Sequence, residues 1–180
     1  RAAQNPYARR IFKSHLLPQY WPNFDIGKYI YIIRDGLDVA ISYYYHAKNY
    51  NGYRGSLDEF LKLFRKGQIG TCSWEKHVVS WAAHKKNGNI LFLRYEDLKA
   101  DSKREIEKIA TFCNISITIA DMERVVERSS FEYMKKNCSK IDMGTHINTR
   151  KVTEDQFIRS GGVGYDHLVS EETQQSFNKL

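Results

Sequence analysis

A lysine and a histidine two residues apart, Lys13 and His15, are the pair of side chains in this sequence best suited to chemistry. They follow residues 10–12, which we predict to end a β-strand, and they precede a Leu-Leu-Pro segment that cannot continue a regular strand or helix. A lysine can neutralise charge on an anionic group during its transfer, and a histidine can accept a proton near neutral pH. The alternative interpretation is an ordinary surface lysine and histidine beside a turn.

A second candidate site follows a predicted strand at residues 28–33, a mostly apolar run typical of a buried strand in a parallel sheet. Arg34 comes directly after this strand, and Ser42 lies in the early turns of a helix predicted at 37–47. A guanidinium and a hydroxyl can both donate to a phosphate, and the helix N-terminus adds partial positive charge. The alternative is that Arg34 pairs with Asp35 or Asp38 on the surface.

The remaining elements follow from apolar spacing and from capping residues. Residues 90–93 form a second apolar run, which predicts a buried strand that ends at Arg94 and Tyr95. Gly67 and Gly88 are predicted to end two helices, Gly88 as a left-handed cap. Further helices are predicted to start at Ser56, Ser73, Asp101 or Ser102, Thr118 and Ser130 and to reach about residues 66, 87, 112, 128 and 137, with a last helix capped by Ser170.

Strands that alternate with helices predict an α/β fold of three layers, in which helices flank a central parallel sheet. The chain has 180 residues, the length of one domain, and we assign all of it to that domain. The carboxyl ends of parallel strands lie at one edge of a sheet. Lys13, Arg34 and Tyr95, with their neighbours, are therefore expected to meet at a common crevice that binds an anionic ligand.

A glycine-rich segment at 159–164 begins with Arg159 and continues with Ser160 and Gly161. Backbone amides that glycines leave accessible can form an anion-binding nest. The segment lacks the P-loop pattern GxxxxGK[ST] and the dinucleotide-binding pattern GxGxxG. A plain flexible loop is the alternative.

Two other positions combine a functional interpretation with a structural one. Phe131, after Ser129 and Ser130, could stack on a nucleotide base or belong to the core. His77 and His84 lie two turns apart on one predicted helix, but neither an HExxH pattern nor a cysteine pair accompanies them. We therefore predict no metal site.

The formal net charge of +7 suits an anionic partner such as a nucleic acid, an acidic membrane surface or a phosphorylated small molecule. The basic residues are spread along the chain, without an arginine-rich arm or zinc-finger spacing. Three cysteines without a CxxC pattern favour a reduced intracellular protein. Apolar stretches stay well short of the ~20 residues that a membrane-spanning helix needs.

Six segments, in this order and spacing, match the pattern of a known family. They are RIFKSHLLP (10–18), YIIRDGLDVAISYYY (31–45), SWEKHVVSW (73–81), RYEDLKADSKREIEKIATF (94–112), SSFEYMKKN (129–137) and FIRSGGVG (157–164). Through them the sequence resembles the C-terminal two thirds of a cytosolic sulfotransferase.

The resemblance implies the P-loop-like sulfotransferase fold and a cytoplasmic enzyme. It implies transfer of a sulfonyl group from 3′-phosphoadenosine 5′-phosphosulfate (PAPS) to a hydroxyl or amine of a small aromatic or steroid-like molecule, with 3′-phosphoadenosine 5′-phosphate (PAP) as product. Neither a nucleic-acid nor a membrane partner is implied.

The resemblance also implies roles for individual residues. His15 corresponds to the catalytic base, and Lys13 to the cation that stabilises charge on the sulfonyl group and its leaving phosphate. Residues implied in nucleotide binding are Arg34 and Ser42 at the 3′-phosphate, Tyr95, Ser129 and Phe131 at the nucleoside with Phe131 stacked on adenine, and Arg159, Ser160 and Gly161 in the loop that closes on the 3′-phosphate. His77 falls where the family lines its acceptor pocket.

The sequence departs from the family pattern in several places. The 5′-phosphosulfate loop of the form YPKSGTxW, which the family places upstream of the KxH triplet, is absent, as is an upstream tryptophan for adenine. Ser160 replaces a lysine of the closing loop, and the dimer pattern KxxxTVxxxE is unmatched in 166–175, so the usual dimer is not assumed. Two alternatives stay open: a non-catalytic nucleotide- or nucleic-acid-binding protein of the same fold, and a carbohydrate sulfotransferase of the secretory pathway.

Overall fold

Two parallel strands form the sheet in the part of the chain that the structure describes. The computed structural model of the chain describes residues 10–22, 24–137 and 161–178. Strand β1 (Tyr29–Ile33) pairs with β2 (Ile90–Arg94), and the register runs from Tyr29 opposite Ile90 to Ile33 opposite Arg94. Because the two strands end level, the residues that follow them leave the sheet side by side.

Helices flank this sheet, which confirms the predicted α/β class with a parallel sheet. Helices α1 to α3 connect the two strands, and the others follow β2 along the chain. Short 3₁₀ helices cover Pro18–Tyr20 and Tyr165–Leu168. The α-helices are α1 (Gly36–Tyr50), α2 (Leu57–Arg65), α3 (Trp74–Ala82), α4 (Tyr95–Ala100), α5 (Ser102–Phe112), α6 (Ile119–Arg128), α7 (Phe131–Lys136) and α8 (Glu171–Asn178).

The helix starts agree with the capping residues in the sequence. Ser56 and Glu59 form a complete capping box, in which the Ser56 amide donates to Glu59 Oε2 at 2.8 Å. Gly67, at φ 66°, follows the end of α2 as predicted. The side chains of Ser73, Asp101, Thr118, Ser130 and Ser170 each accept a backbone N–H three residues further on.

Some local predictions are wrong. Helix α3 ends at Ala82 rather than at Asn87, and Gly88 is not among the glycines with positive φ. Helix α4 was not predicted, because it starts at Tyr95 directly after β2, where no separate linker marks the boundary. The predicted strand at 10–12 does not form, since residues 10–17 carry no regular structure and Ile11 is 94% exposed. A short apolar run becomes a strand only where a neighbouring strand accepts its hydrogen bonds.

The main core lies between α1 and α2. Ala40 and Ile41 of α1 are fully buried and belong to one cluster with Phe60 and Leu61 of α2. Tyr165 joins this cluster from the C-terminal part of the chain. By contrast β1, predicted to be buried, alternates along its length, and Ile32 is 51% exposed. The core therefore fixes α1 against the turn that contains Tyr165.

Candidate active site

Arg34 lies at the ends of the two strands, surrounded by Tyr95, Tyr165, Asp38 and the Gly162 carbonyl. We call this group the Arg34 cradle. The guanidinium carbon of Arg34 lies 4.4 Å from the ring centroid of Tyr95 and 5.7 Å from that of Tyr165. Its Nη2 donates to Asp38 Oδ2 at 3.2 Å and to the Gly162 carbonyl at 2.9 Å. The level strand ends explain the first contact, because Arg34 follows β1 and Tyr95 follows β2.

The buried Nε of Arg34 is a donor that the cradle leaves without an acceptor. The side chain is only 16% exposed, and in the described part of the chain its buried Nε has no hydrogen-bond acceptor. A buried N–H of a cation is stabilised by an acceptor, and an anionic oxygen is the strongest one. Burial raises the pKa of the Tyr95 phenol, while the charge of Arg34 opposes that rise. The phenol therefore stays neutral under the guanidinium, and Asp38 is the carboxylate that pairs with Arg34.

Asp38 is a functional candidate that the sequence analysis placed only as a surface partner of Arg34. The predicted pairing forms, but the carboxylate is 4% exposed rather than at the surface. Its oxygens also accept the backbone N–H groups of Gly164 at 3.1 Å and Tyr165 at 2.9 Å. The four-residue spacing from Arg34 was the only local signal for this role, since both amides come from the far end of the chain. Asp35 instead caps α1 and does not pair with Arg34.

Gly161 lies against the ring of Phe131. Gly161 has φ 58°, and a Cβ at this position would lie 2.8 Å from Phe131 Cε2 and closer still to Cδ2. Only glycine fits there without displacing the ring. The structure thus brings Gly161, Phe131 and the Arg34 cradle together, because Gly161 is followed by the carbonyl that Arg34 binds. Arg159 and Ser160 lie outside the described residues.

Two predicted hydroxyl contacts stand apart from this cradle. Ser42 is exposed on α1, and Ser129 is exposed at the C-terminal cap of α6, where its Oγ donates to the Val125 carbonyl at 2.6 Å. No hydrogen bond among the described residues joins either hydroxyl to Arg34. Their contacts to a nucleotide stay predictions.

The segment that carries Lys13 and His15 is held by α3. The His77 Nε2 donates to the His15 carbonyl at 3.3 Å, and the Trp81 Nε1 donates to the next carbonyl, that of Leu16, at 3.3 Å. His77 and Trp81 are four residues apart, so their side chains lie on one face of α3. The side chains of Lys13 and His15 remain exposed. Helix α3 therefore replaces the missing strand as the element that positions the pair.

Both ring nitrogens of His77 have protein partners. The carbonyl of His15 can only accept, so Nε2 carries the proton and Nδ1 accepts from the Tyr31 hydroxyl at 3.0 Å. Burial lowers the pKa of His77, which favours this neutral form, and burial raises the pKa of Tyr31 to about 12. The contact of His77 with the acceptor substrate stays a prediction. Its hydrogen bond to the backbone of His15 is present in the structure.

We expect His77→Phe to slow turnover without weakening nucleotide binding. The ring keeps its place against Tyr31, but the lost hydrogen bond to His15 should lower kcat by about three- to tenfold. The unpaired Tyr31 hydroxyl should reduce the free energy of unfolding by about 1–3 kcal/mol. Thermal unfolding and steady-state rates measure the two effects.

Tyr31→Phe combined with His77→Phe separates positioning from stability. Removing both partners should restore most of the free energy of unfolding, because no buried polar group is left unpaired. Turnover should stay low, since the His15 carbonyl still lacks its donor. Recovery of the rate together with stability would contradict a positioning role for His77.

Tyr43, His46 and Tyr50 form an aromatic face of α1, which lies close enough to Lys13 for its charge to act on His46. The His46 ring stacks on Tyr50 with centroids 4.7 Å apart and lies 6.2 Å from Tyr43. Burial lowers the pKa of His46, and the positive charge of Lys13 adds to that effect. His46 was missed by the sequence analysis, although its spacing of three and four residues from these tyrosines was visible.

The fold and the site define a class: an α/β protein with a nearly buried arginine at the ends of its parallel strands and an exposed lysine and histidine on a segment held by α3. A family model of the sulfotransferase domain matches residues 1–179. Mouse sulfotransferase 1B1 is 37% identical over 164 residues, which cover 86% of this chain and 54% of the relative. Human sulfotransferase 1E1 is 39% identical over 135 residues, which cover 72% of this chain and 46% of the relative. The chain belongs to the sulfotransferase family.

Solved structures agree with this assignment. Retinol dehydratase in a complex with retinol and PAP has a TM-score of 0.84 and 29% identity, and the match covers 99% of this chain and 54% of the other. Mouse sulfotransferase SULT7A1 complexed with PAP has a TM-score of 0.74 and 28% identity, with 85% and 56% coverage. The chain spans about half the length of the curated relatives it matches. Within the described residues, none of the helices has the length and apolar character to span a bilayer.

Proposed function

We propose that the chain takes part in the transfer of a sulfonyl group from PAPS to a hydroxyl or amine of a small aromatic or steroid-like molecule. The observation that carries the proposal is the Arg34 cradle: a nearly buried guanidinium with a free Nε donor, at the start of α1, in a member of the sulfotransferase family. A 3′-phosphate offers the anionic oxygens that such a donor lacks.

The residues present fit a nucleotide that bears a 3′-phosphate. Arg34 and Ser42, with Arg159 and Ser160, would hold the phosphate, while Gly161 packs against Phe131. Phe131, Tyr95 and Ser129 would hold the nucleoside. The Lys99 ammonium lies 5.9 Å from the Phe131 ring centroid and adds a cation on that side. When bound, PAPS supplies an activated sulfonyl group with a phosphate leaving group.

His15 and Lys13 would act on the acceptor side of this nucleotide. His15 would accept the proton of the acceptor hydroxyl, and Lys13 would neutralise charge on peripheral oxygens. Sulfonyl transfer resembles phosphoryl transfer in its loose, in-line transition state, so positioning and electrostatics dominate catalysis. The two hydrogen bonds from α3 hold the backbone of this segment and thereby limit where the imidazole can lie.

The aromatic face of α1 supports an acceptor with rings. Tyr43, His46 and Tyr50 form stacked and tilted pairs beside Lys13. Aromatic surfaces of this kind favour flat apolar ligands. Retinol dehydratase has been solved in complexes with retinol and with androsterone, each together with PAP, and both are apolar alcohols or ring systems of the proposed kind. A cytoplasmic location stays a prediction.

Calorimetry with PAP, followed by an acceptor screen, tests the proposal. PAP should bind one to one and tighter than adenosine 5′-monophosphate, and a phenol or steroid alcohol should gain a sulfonyl group detected by mass spectrometry. Since the relatives are longer, the turnover arm uses the longest polypeptide that contains this chain. Absence of PAP binding, or affinity for oligonucleotides that collapses between low and moderate salt, would instead favour a nucleic-acid-binding protein.

A further inference from the structure

We propose that Asp38 is a positioning residue that couples closure of the glycine turn at 162–165 to the orientation of Arg34. The inference rests on the proposed function, because it assigns to Asp38 the task of preparing Arg34 for a 3′-phosphate. One carboxylate would then fix both the orientation of the Arg34 guanidinium and the closed conformation of the turn beside it. Asp38 itself need not touch the nucleotide.

The contacts of Asp38 join the two parts directly. Oδ2 accepts from both Arg34 Nη2 at 3.2 Å and the Gly164 amide at 3.1 Å, while Oδ1 accepts from the Tyr165 amide at 2.9 Å. The carboxylate belongs to the first turn of α1, and α1 is fixed in the core. The turn is thus tied to a rigid element through the same carboxylate that holds Arg34.

The glycine turn in its own right supplies contacts that orient Arg34. The Gly162 carbonyl accepts from Nη2, and the Tyr165 ring lies on the guanidinium from within the same turn. The Tyr165 hydroxyl accepts from the Gly162 amide at 3.0 Å, which closes the turn on itself. With Nη2 engaged by protein acceptors, the buried Nε is a donor that has no acceptor in the described part of the chain.

Burial makes these contacts interdependent. A carboxylate that is 4% exposed needs its hydrogen bonds, because water cannot replace them. Opening the turn would remove two of its three donors and, with them, the Gly162 acceptor and the Tyr165 ring from Arg34. Turn closure and arginine orientation therefore favour one another, which is the condition for coupling.

A competing role for Asp38 predicts the opposite sign. If the carboxylate merely neutralised Arg34, removing its charge would release the guanidinium and tighten phosphate binding. If it positions Arg34 and the turn, removing its charge weakens phosphate binding. The sign of the change in affinity separates the two.

Asp38→Asn tests the coupling through two isomeric ligands, adenosine 3′-monophosphate and adenosine 5′-monophosphate. They carry the same charge, but only the first presents a phosphate where Arg34 would bind it. Affinity for the 3′-isomer and for PAP should fall by about 10- to 100-fold, the loss expected when hydrogen bonds to a charged group are removed. Affinity for the 5′-isomer should change by less than about threefold, as for a distant charge. General damage to the fold would lower both affinities alike.

Asp35→Asn is the matched control. Asp35 is the N-cap of α1, three residues before Asp38, and asparagine caps a helix as well as aspartate does. This variant removes the same charge without touching Arg34, so the preference for the 3′-isomer should persist.

Amide exchange of the unaltered chain supplies a second measurement, which is independent of how well the variant folds. PAP should slow exchange of the Gly164 and Tyr165 amides, which donate to Asp38, whereas the 5′-isomer should not. The coupling is overturned if Asp38→Asn binds the 3′-isomer as tightly as the unaltered chain or more tightly, or if PAP leaves the exchange rates of these amides unchanged. The proposed function would still stand in that case, provided that the unaltered chain binds PAP. If the unaltered chain binds neither PAP nor the 3′-isomer, the proposed function fails and the coupling with it.

Discussion

His15→Ala should lower kcat by about 10²- to 10⁴-fold, the usual contribution of a general base. The acceptor hydroxyl would then have to lose its proton to solvent. The imidazole is exposed and its segment is held through backbone carbonyls, so its removal should leave the fold intact. Steady-state rates at saturating donor measure the loss, and calorimetry with PAP should give an unchanged dissociation constant.

His84→Ala is the control for the loss of a histidine. His84 lies in the turn after α3, where its ring contacts Phe24 at a centroid distance of 5.1 Å, and it has no place in the proposed chemistry. His84→Ala should keep the kcat of the unaltered chain once the rate is expressed per folded molecule. Near-normal turnover by His15→Ala would remove His15 from the role of base and leave positioning and electrostatics as the whole of catalysis.

Arg34→Lys should weaken PAP binding by about 10- to 100-fold while leaving the chain folded. Lysine keeps a positive charge opposite Asp38, but it loses the planar fork, the buried Nε donor and the stacking on Tyr95. Arg34→Ala should lose at least as much affinity, yet it also removes the cation that pairs with the buried Asp38 carboxylate, and breaking a buried ion pair in this way costs about 3–5 kcal/mol of stability. The lysine variant is therefore the cleaner measurement.

Arg94→Lys is the matched control, because Arg94 ends β2 opposite the last residue of β1. Its side chain is 66% exposed and pairs loosely with Glu96 at 3.6 Å, so it should contribute only long-range charge. Its PAP affinity should stay within about threefold of the unaltered chain, since exposed charges are screened. Equal losses in the two variants would mean that PAP is attracted by charge and not held by Arg34.

The helix starts and the end of β1 could be predicted from the sequence, because their causes are local. Ser56, Ser73 and Thr118 each bond a backbone amide three residues away, so a short window contains both partners. The end of α3 was harder to predict. Gly88 suggested a stop, but α3 had already ended at Ala82.

The parts of the site that depend on distant partners could not be predicted. Asp38 looked like a surface partner of Arg34, because the amides of Gly164 and Tyr165 lie 126 and 127 residues further along. The run at 10–12 looked like a strand, but its backbone is positioned by His77 and Trp81 of α3. Such roles depend on tertiary contacts, which no short window of sequence contains.

The separation of 126 residues between Asp38 and Gly164 also bears on the order of folding. The entropy lost in closing a loop grows with the logarithm of its length, and contacts between distant residues slow folding. The packing of α1 against α2 joins near neighbours and can form early, whereas the docking of the C-terminal turn closes the longest loop of the cradle. The anion cradle should therefore be the last part of this region to assemble. A nucleotide that binds only the assembled cradle would stabilise the finished fold by mass action.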